Sequence, residues 1–497
     1  MQTREPPRSP WPTIAAVAAI TLVGALLRVH EFSQSLYGDE LWSVAASNSP
    51  SPRSVIDFVQ SDQEISPPLF AILAWLSAKL GDAANLIRLP SIVAGIALIP
   101  LVWLLGRRTV GSRAALVAAA IAALSPFLAF YSVEARAYSL MAALVTASTV
   151  AMLIASERGD RRWWFAYGAL SCLAMYSHYT AAYALLAQLA WLRWRRPPAR
   201  KPALLANVGA AVAFLPWVPS LIDDFNSPSQ DIIGFLAPVS FRSFVDFTTS
   251  ASFGSPLGGG LHDFLGTGLE VALFAGIALG SVGAATAAIR DRRAPPKARD
   301  DREQDGILLP VMLALASPVG VGLVSLLSAD QFLPRNLAAS WAGFSVALAA
   351  ILTRGPRVVW IPATALVVGV FAVGAVRMTT PEWARPDVGA AAALIEAKTG
   401  AGVVVIDALT FGGGGSLPAS LDLAMSEPFQ RFTPQEVPSA LTAAAGSKLV
   451  LVGPRLRVEA IAADPELTDL TPSTRATFQG LDDTEVLIYA IPSGKSG

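Results

Sequence analysis

The chain has 497 residues, of which 53% are hydrophobic and only 15% charged, with a mean hydropathy of +0.50 and a formal net charge of zero. Such a composition is too apolar for a soluble domain and indicates a polytopic membrane protein, and the balanced charge gives no reason to expect nucleic acid as a partner. The one cysteine, Cys172, lies in an apolar run, so it permits no intrachain disulfide and reads as a small buried hydrophobe.

The first apolar run, Trp11 to Leu27, follows Arg4 and Arg8 as the core of a signal peptide would. The residues after it, His30-Glu31-Phe32-Ser33, do not form a small-residue cleavage site, so it reads as an uncleaved first span. A crossing takes about 20 apolar residues. On that measure spans are expected near 11–30, 88–106, 113–132, 138–156, 163–177, 179–194, 202–221, 264–289, 307–328, 336–353 and 357–377, eleven in all.

The pair at 163–194 is short for two crossings, but charge argues for both. Arg158, Arg161 and Arg162 precede it, and Arg193, Arg195, Arg196, Arg200 and Lys201 follow it. Basic loops stay in the cytoplasm, so the number of crossings between those two flanks is even. The same rule places Arg107, Arg108 and Arg113 inside, as well as Arg290, Arg292, Arg293, Lys297, Arg299 and Arg302, and Arg354 with Arg357. The N-terminus is then inside and the C-terminus outside. The apolar segment Pro67 to Leu80 is too short to span and reads as an interfacial helix in a first outer loop, about 31–87. A second long outer loop, about 222–263, is rich in Ser, Gly, Pro and Phe.

Past residue 378 the composition changes. Residues 379–497 contain no span and read as a small extracytoplasmic α/β domain. Helices are expected at about 385–398 and 434–445, and strands at Val403–Ile406, Leu449–Val452 and Val486–Tyr489. The run Gly412 to Gly415 lacks a following Lys-Ser/Thr, so it reads as a linker or turn and not as a phosphate loop. The expected fold is therefore mostly α, a polytopic membrane helical bundle of about 11 transmembrane helices (residues 1–378) followed by this domain.

With sides assigned, the unusual polar residues fall together. Asp39 and Glu40 follow the first span, Glu134, Arg136 and Tyr138 lie between the third and fourth, His178 at the turn of the short pair, and Arg335 between the ninth and tenth. All are expected at the outer edge of the bilayer. Taken singly, an arginine at a helix end snorkels to lipid phosphate, a histidine in an aromatic turn is structural, Asp39-Glu40 is a polar helix end, and Glu134 pairs with Arg136. Their convergence on one face favours a site. Arginine suits a phosphate because its planar fork donates two parallel hydrogen bonds and stays charged. A nearby carboxylate can take a proton from an acceptor hydroxyl or hold a divalent cation such as Mg or Mn.

Four motifs resemble the GT-C superfamily of integral-membrane glycosyltransferases, in particular the family 39-like bacterial branch related to dolichyl-phosphate-mannose protein mannosyltransferases. They are Gly38-Asp39-Glu40-Leu41-Trp42, Ser66-Pro67-Pro68-Leu69-Phe70, Arg88-Leu89-Pro90-Ser91 and Glu134-Ala135-Arg136-Ala137-Tyr138-Ser139-Leu140. Ser177-His178-Tyr179 and Pro334-Arg335-Asn336-Leu337 look like later landmarks, and the likeness covers about residues 11–377. The resemblance implies a polyprenyl-phosphate-linked sugar donor, an extracytoplasmic lipid, glycan or protein acceptor, and inversion at the anomeric carbon. It implies Asp39 as the catalytic carboxylate with Glu40 supporting it or a metal, and Arg136 and Arg335 on the donor phosphate. Glu134, Tyr138 and His178 join them as candidate substrate-binding residues. One departure is Ser66, where relatives often carry His. The competing reading is a lipid or solute transporter or flippase, which calls for ionisable groups in mid-span and internal repeats. The spans here are nearly free of charge and show no clear repeat.

Overall fold

The computed structural model describes residues 11–30, 32, 34–61, 65–226, 240–256, 260–293, 301–327, 332–409, 420–480 and 483–493. Arg4, Arg8, Lys297, Arg299, the Gly412–Gly415 run and Gly497 lie outside them. The helices in chain order are α1 Trp11–His30, α2 Glu40–Ser47, α3 Pro52–Val59, α4 Leu69–Ala78, α5 Ala83–Leu86, α6 Leu89–Thr109, α7 Ser112–Leu124 and α8 Pro126–Val133. They continue with α9 Tyr138–Arg158, α10 Arg161–Ser177, α11 Ala181–Arg195, α12 Arg200–Phe214, α13 Val218–Asn226, α14 Phe241–Phe253 and α15 Leu261–Arg293. After α16 Asp301–Leu327 come α17 Trp341–Thr353 and α18 Arg357–Met378.

The chain divides into two compact units. The first, residues 1–32, 50–81 and 86–376, is the helical bundle. Among the described residues eight helices are long and apolar enough to cross a membrane, and a ninth crossing arises if α7 and α8 are taken as one span bent by 55°. The apolar pair α10 and α11 has 17 and 15 residues and falls short of that length. The Pro67–Leu80 segment forms α4, a short apolar helix of 10 residues.

Local sequence explains the joints. Ser125 caps α8 by accepting from the Leu128 amide at 3.1 Å, and Pro126 occupies the first helical position, where a missing N–H costs nothing. Asp160 caps α10 in the same way, accepting from the Arg162 amide at 2.9 Å. Between α9 and α11 the buried Gln188 amide donates to Ser148 Oγ at 3.0 Å and Thr149 Oγ1 at 2.8 Å, a polar lock of the kind that holds helices together where lipid offers no hydrophobic drive.

The second unit comprises residues 33–49, 82–85 and 377–497. Its five-stranded sheet has the order β2-β1-β3-β5-β4, with β1 Val403–Asp407, β2 Phe429–Phe432, β3 Lys448–Pro454, β4 Thr474–Phe478 and β5 Thr484–Ala490. β1 pairs parallel with β2 and β3, while β5 runs antiparallel to β3 and β4. The unit's helices are α19 Val388–Lys398, α20 Ser420–Ala424, α21 Val437–Ala443 and α22 Arg455–Ala462.

Alternate side chains of a strand face opposite ways. Val404 and Ile406 accordingly pack with α21 and α22, whereas Val403 and Val405 pack with α19 and α20. Covering both faces is why β1 and β3 read as unbroken apolar runs. The two strands not expected from the sequence, β2 and β4, are the sheet edges. Their exposed Gln430, Arg431, Arg475 and Thr477 gave no apolar signal.

Candidate active site

The Asp39-Glu40 turn belongs to the second unit. Gly38 has φ +60°, a conformation that costs glycine little and a side-chain-bearing residue much, and it turns the chain sharply into α2. The Leu41 amide closes the turn on the Gly38 carbonyl at 3.1 Å. Asp39 is half-buried at the N-cap of α2, and its side chain does not cap the helix.

Glu40 is different. It is fully buried and forms an ion pair with Arg385, whose side chain is 4% exposed. The Tyr37 amide also donates to its carboxylate, at 3.4 Å. Two further bonds tie the same segments: the Arg385 amide to the Gln34 side-chain oxygen at 3.2 Å, and the Gly389 amide to Ser35 Oγ at 3.2 Å. The turn is thus built jointly by residues 34–40 and 385–389. Sequence reasoning missed Arg385, because its partner lies 345 residues away and no local pattern links them.

This pairing bears on the expected metal role of Asp39 and Glu40. A divalent ion held by both needs both carboxylates, and that of Glu40 is already matched by a buried guanidinium. Glu40 therefore does not fit as a cation ligand. Among the described residues no group of three His, Cys, Asp or Glu converges.

The other candidates belong to the helical bundle. Glu134 ends α8 and turns the backbone extended, with ψ 130°. Arg136 follows in the turn before α9, half-buried, with Nη2 donating to Ser66 Oγ at 3.4 Å. Its own carbonyl accepts from Ser91 Oγ at 2.9 Å. Three of the four sequence motifs therefore meet at this turn, and the departure at Ser66 is in direct contact with Arg136. Tyr138 opens α9 and is buried between rings, its centroid 5.0 Å from that of Tyr131 and 5.3 Å from that of His178.

His178 ends α10. Its Nδ1 accepts the Thr180 amide at 3.3 Å and lies 2.9 Å from the Thr180 hydroxyl. A ring nitrogen that accepts carries no proton, so the imidazole proton of the neutral ring sits on Nε2. Arg335 is half-buried in the short 3-10 helix Pro334–Ser340, which packs against α9 and α11. The bundle thus brings Tyr138 and His178 into direct contact, places Glu134 and Arg136 in the turn that leads into Tyr138, and brings the segment carrying Arg335 onto the two helices that begin beside them.

Residues 66–222 match the family model described as dolichyl-phosphate-mannose-protein mannosyltransferase. The fold is similar to the crystal structure of ArnT from Cupriavidus metallidurans in the apo state, with a TM-score of 0.58 and 13% identity over 96% of this chain and 97% of that one. It is also similar to the same protein bound to undecaprenyl phosphate, with a TM-score of 0.52 and 13% identity over 97% and 98% of the two chains. By sequence alone no curated relative matches. At this identity the structural likeness establishes the fold, which is the GT-C fold that the motifs imply.

Proposed function

We propose that this chain of GT-C fold is a membrane glycosyltransferase, transferring a sugar from a polyprenyl-phosphate-linked donor to a lipid, glycan or protein acceptor on the extracytoplasmic side of the cell membrane. The observation that carries the reading is the matched segment 66–222, which contains the Ser66–Arg136 contact and the Tyr138–His178 pair. The ArnT structure of similar fold is described as bound to undecaprenyl phosphate, the class of lipid phosphate that such a cluster would receive.

The chemistry follows from the groups. The acceptor hydroxyl attacks the anomeric carbon while the bond from that carbon to the phosphate oxygen breaks, which inverts the configuration. Asp39 takes the hydroxyl proton as the new bond forms. The charge left on the departing lipid phosphate is met by Arg136, whose guanidinium is held by Ser66, and by Arg335. A phosphate leaves without protonation, so one carboxylate base is enough. No step passes through a divalent cation, because Glu40, the second carboxylate such an ion would call on, is neutralised by Arg385.

The second unit supports the orientation. Residues 33–49 and 377–497 form one compact unit, so they occupy the same side of the membrane and an even number of crossings separates them. Among the described residues, the seven long apolar helices after α1 and the bent α7–α8 pair, each taken as a crossing, already give an even number. The short helices α10 and α11 therefore both cross or both stay out, in agreement with the arginines flanking the pair. With both crossing, the spans number eleven, with the N-terminus inside and the second unit outside.

The test is transfer by purified protein in proteoliposomes supplied with polyprenyl-phosphate sugars. Asp39→Asn keeps size and hydrogen-bonding capacity but removes the base, and it is expected to lower turnover at least about 100-fold. The thermal melt is expected to stay unchanged. Turnover near the wild-type rate would remove Asp39 from the mechanism.

A further inference from the structure

Arg28 is a cation in the last turn of the first span, and it is completely buried. Charges inside spans are rare enough to demand a purpose. Its guanidinium donates through Nε to Ser132 Oγ at 2.9 Å and through Nη1 to the carbonyls of Gly24 and Ala123 at 2.9 and 3.2 Å. Through Nη2 it donates to the carbonyl of Ala122 at 3.3 Å. All four acceptors are neutral oxygens.

Two of them are carbonyls that the bend between α7 and α8 releases. In a continuous helix the Ala122 carbonyl would accept from the amide of residue 126, but residue 126 is proline and has no N–H. The backbone leaves the helix at Ser125, with ψ 121°, so Ala123 likewise lies among the last carbonyls of α7, which have no partner within their own helix. Inside a membrane such groups need another donor. Arg28 supplies it from α1, and so fixes the bend.

The third acceptor extends the hold to the active-site turn. Ser132 Oγ donates to the Leu128 carbonyl at 2.5 Å and accepts from Arg28 and, at 3.4 Å, from Ser139 Oγ. Ser132 is in α8 and Ser139 in the first turn of α9, so the two hydroxyls bracket the segment that holds Glu134, Arg136 and Tyr138. From the other side α6 presses a glycine, Gly95, against Ser132. A Cβ at that position would stand 2.0 Å from Ser132 Oγ.

We propose that Arg28 is a positioning residue: by capping the carbonyls freed at the α7–α8 bend and holding Ser132 against Ser139, it sets the conformation of the Glu134–Tyr138 turn and hence the aim of Arg136. The part concerning Arg136 and the donor phosphate rests on the function proposed above, whereas the hold on the turn does not.

The experiment reads the two separately. In a Cys172→Ala background, a cysteine replaces Ala135, which is fully buried at the centre of the turn, and a control cysteine replaces Ala349, which is fully buried in α17. Maleimide labelling of the folded protein is then compared with and without Arg28→Met, Arg28→Lys and Ser132→Ala. In Arg28→Met, position 135 is expected to react at least about tenfold faster while position 349 stays protected, and Arg28→Lys is expected to restore part of the protection. Ser132→Ala leaves the capping of the bend intact, so it is expected to expose position 135 with little change in thermal melt. That variant keeps the test decisive where Arg28→Met fails to fold.

In transfer assays with a polyprenyl-phosphate sugar, without the added cysteines, Ser132→Ala and Arg28→Lys are expected to raise donor KM about tenfold with kcat within about threefold of wild type. Unchanged protection at position 135 in both Ser132→Ala and Arg28→Met would overturn the proposal. Increased labelling at 135 in a protein that handles no polyprenyl-phosphate sugar would instead uphold the hold on the turn and remove the proposed function. Exposure at 135 with an unchanged donor KM would overturn the link to Arg136.

Discussion

Arg28 in the helical bundle and Arg385 in the second unit are both buried arginines, yet one is surrounded by hydroxyl and carbonyl oxygens and the other by a carboxylate. In the bundle two of the four acceptors are carbonyls that a proline break exposes, and all four hold the guanidinium without cancelling its charge. In the second unit Glu40 cancels the charge of Arg385, and the pair stitches the turn that presents Asp39 to the segment following the last span. The difference follows the chemistry proposed for each region. A region that receives a phosphate gains from positive charge left in place, whereas a region that presents a base gains from a turn held rigid by a neutral pair.

The comparison breaks most visibly at the ion pair. Removing one member of a buried pair leaves the other as an uncompensated charge, at a cost of about 3–5 kcal/mol, whereas replacing both with apolar groups is often neutral. Arg385→Met is therefore expected to destabilise the second unit by about that amount, and the Glu40→Leu, Arg385→Met double variant to recover most of it. Thermal melts of the purified proteins measure this. A double variant as unstable as the single would mean that the pair is held by something other than mutual neutralisation.

A smaller effect is expected at a neutral polar contact in the bundle. Gln188→Leu loses the bonds to Ser148 and Thr149 and is expected to cost about 1 kcal/mol, the usual scale for polar contacts between membrane helices. Detergent denaturation of the folded protein reads it. A loss as large as that at Arg385 would show that charge is not what separates the two regions.

The smallest effect lies on the surface of the second unit. Glu396 accepts from the amides of Glu427 and Ser426 and from the Ser426 hydroxyl, and these bonds hold its carboxyl below the usual carboxylate range. A folded-state value below the unfolded one stabilises above the unfolded pKa and is lost as pH falls through the folded value. Glu396→Gln is therefore expected to melt slightly below wild type at pH 7 and to converge with it in acid. Parallel melting curves at every pH would contradict this.

Much of the bundle was legible because crossing a bilayer demands long apolar runs. The bend at Pro126 was not, since residues 114–131 are apolar but for Ser125 and the break appears only when the lost hydrogen bonds are counted. Reading the spans as nearly free of charge missed Arg28, which resembles a snorkelling residue near a helix end but turns inward. In the second unit β1, β3 and β5 were visible as apolar runs, while the edge strands β2 and β4 were too polar to show. At the candidate site the motifs gave Arg136, Tyr138 and His178, and the structure adds their contacts. Glu40 changed meaning once its partner Arg385 was in view.

The division of labour between the two regions is tested most directly by titrating a polyprenyl phosphate, such as decaprenyl phosphate, into purified wild-type, Asp39→Asn and Arg136→Lys proteins. If Arg136 binds the phosphate and Asp39 serves only as the base, Asp39→Asn binds within about twofold of wild type. Arg136→Lys, having lost its bidentate fork, then binds about tenfold more weakly, a change of about 1.4 kcal/mol. The same Kd for all three proteins would contradict the assignment of the phosphate to the bundle.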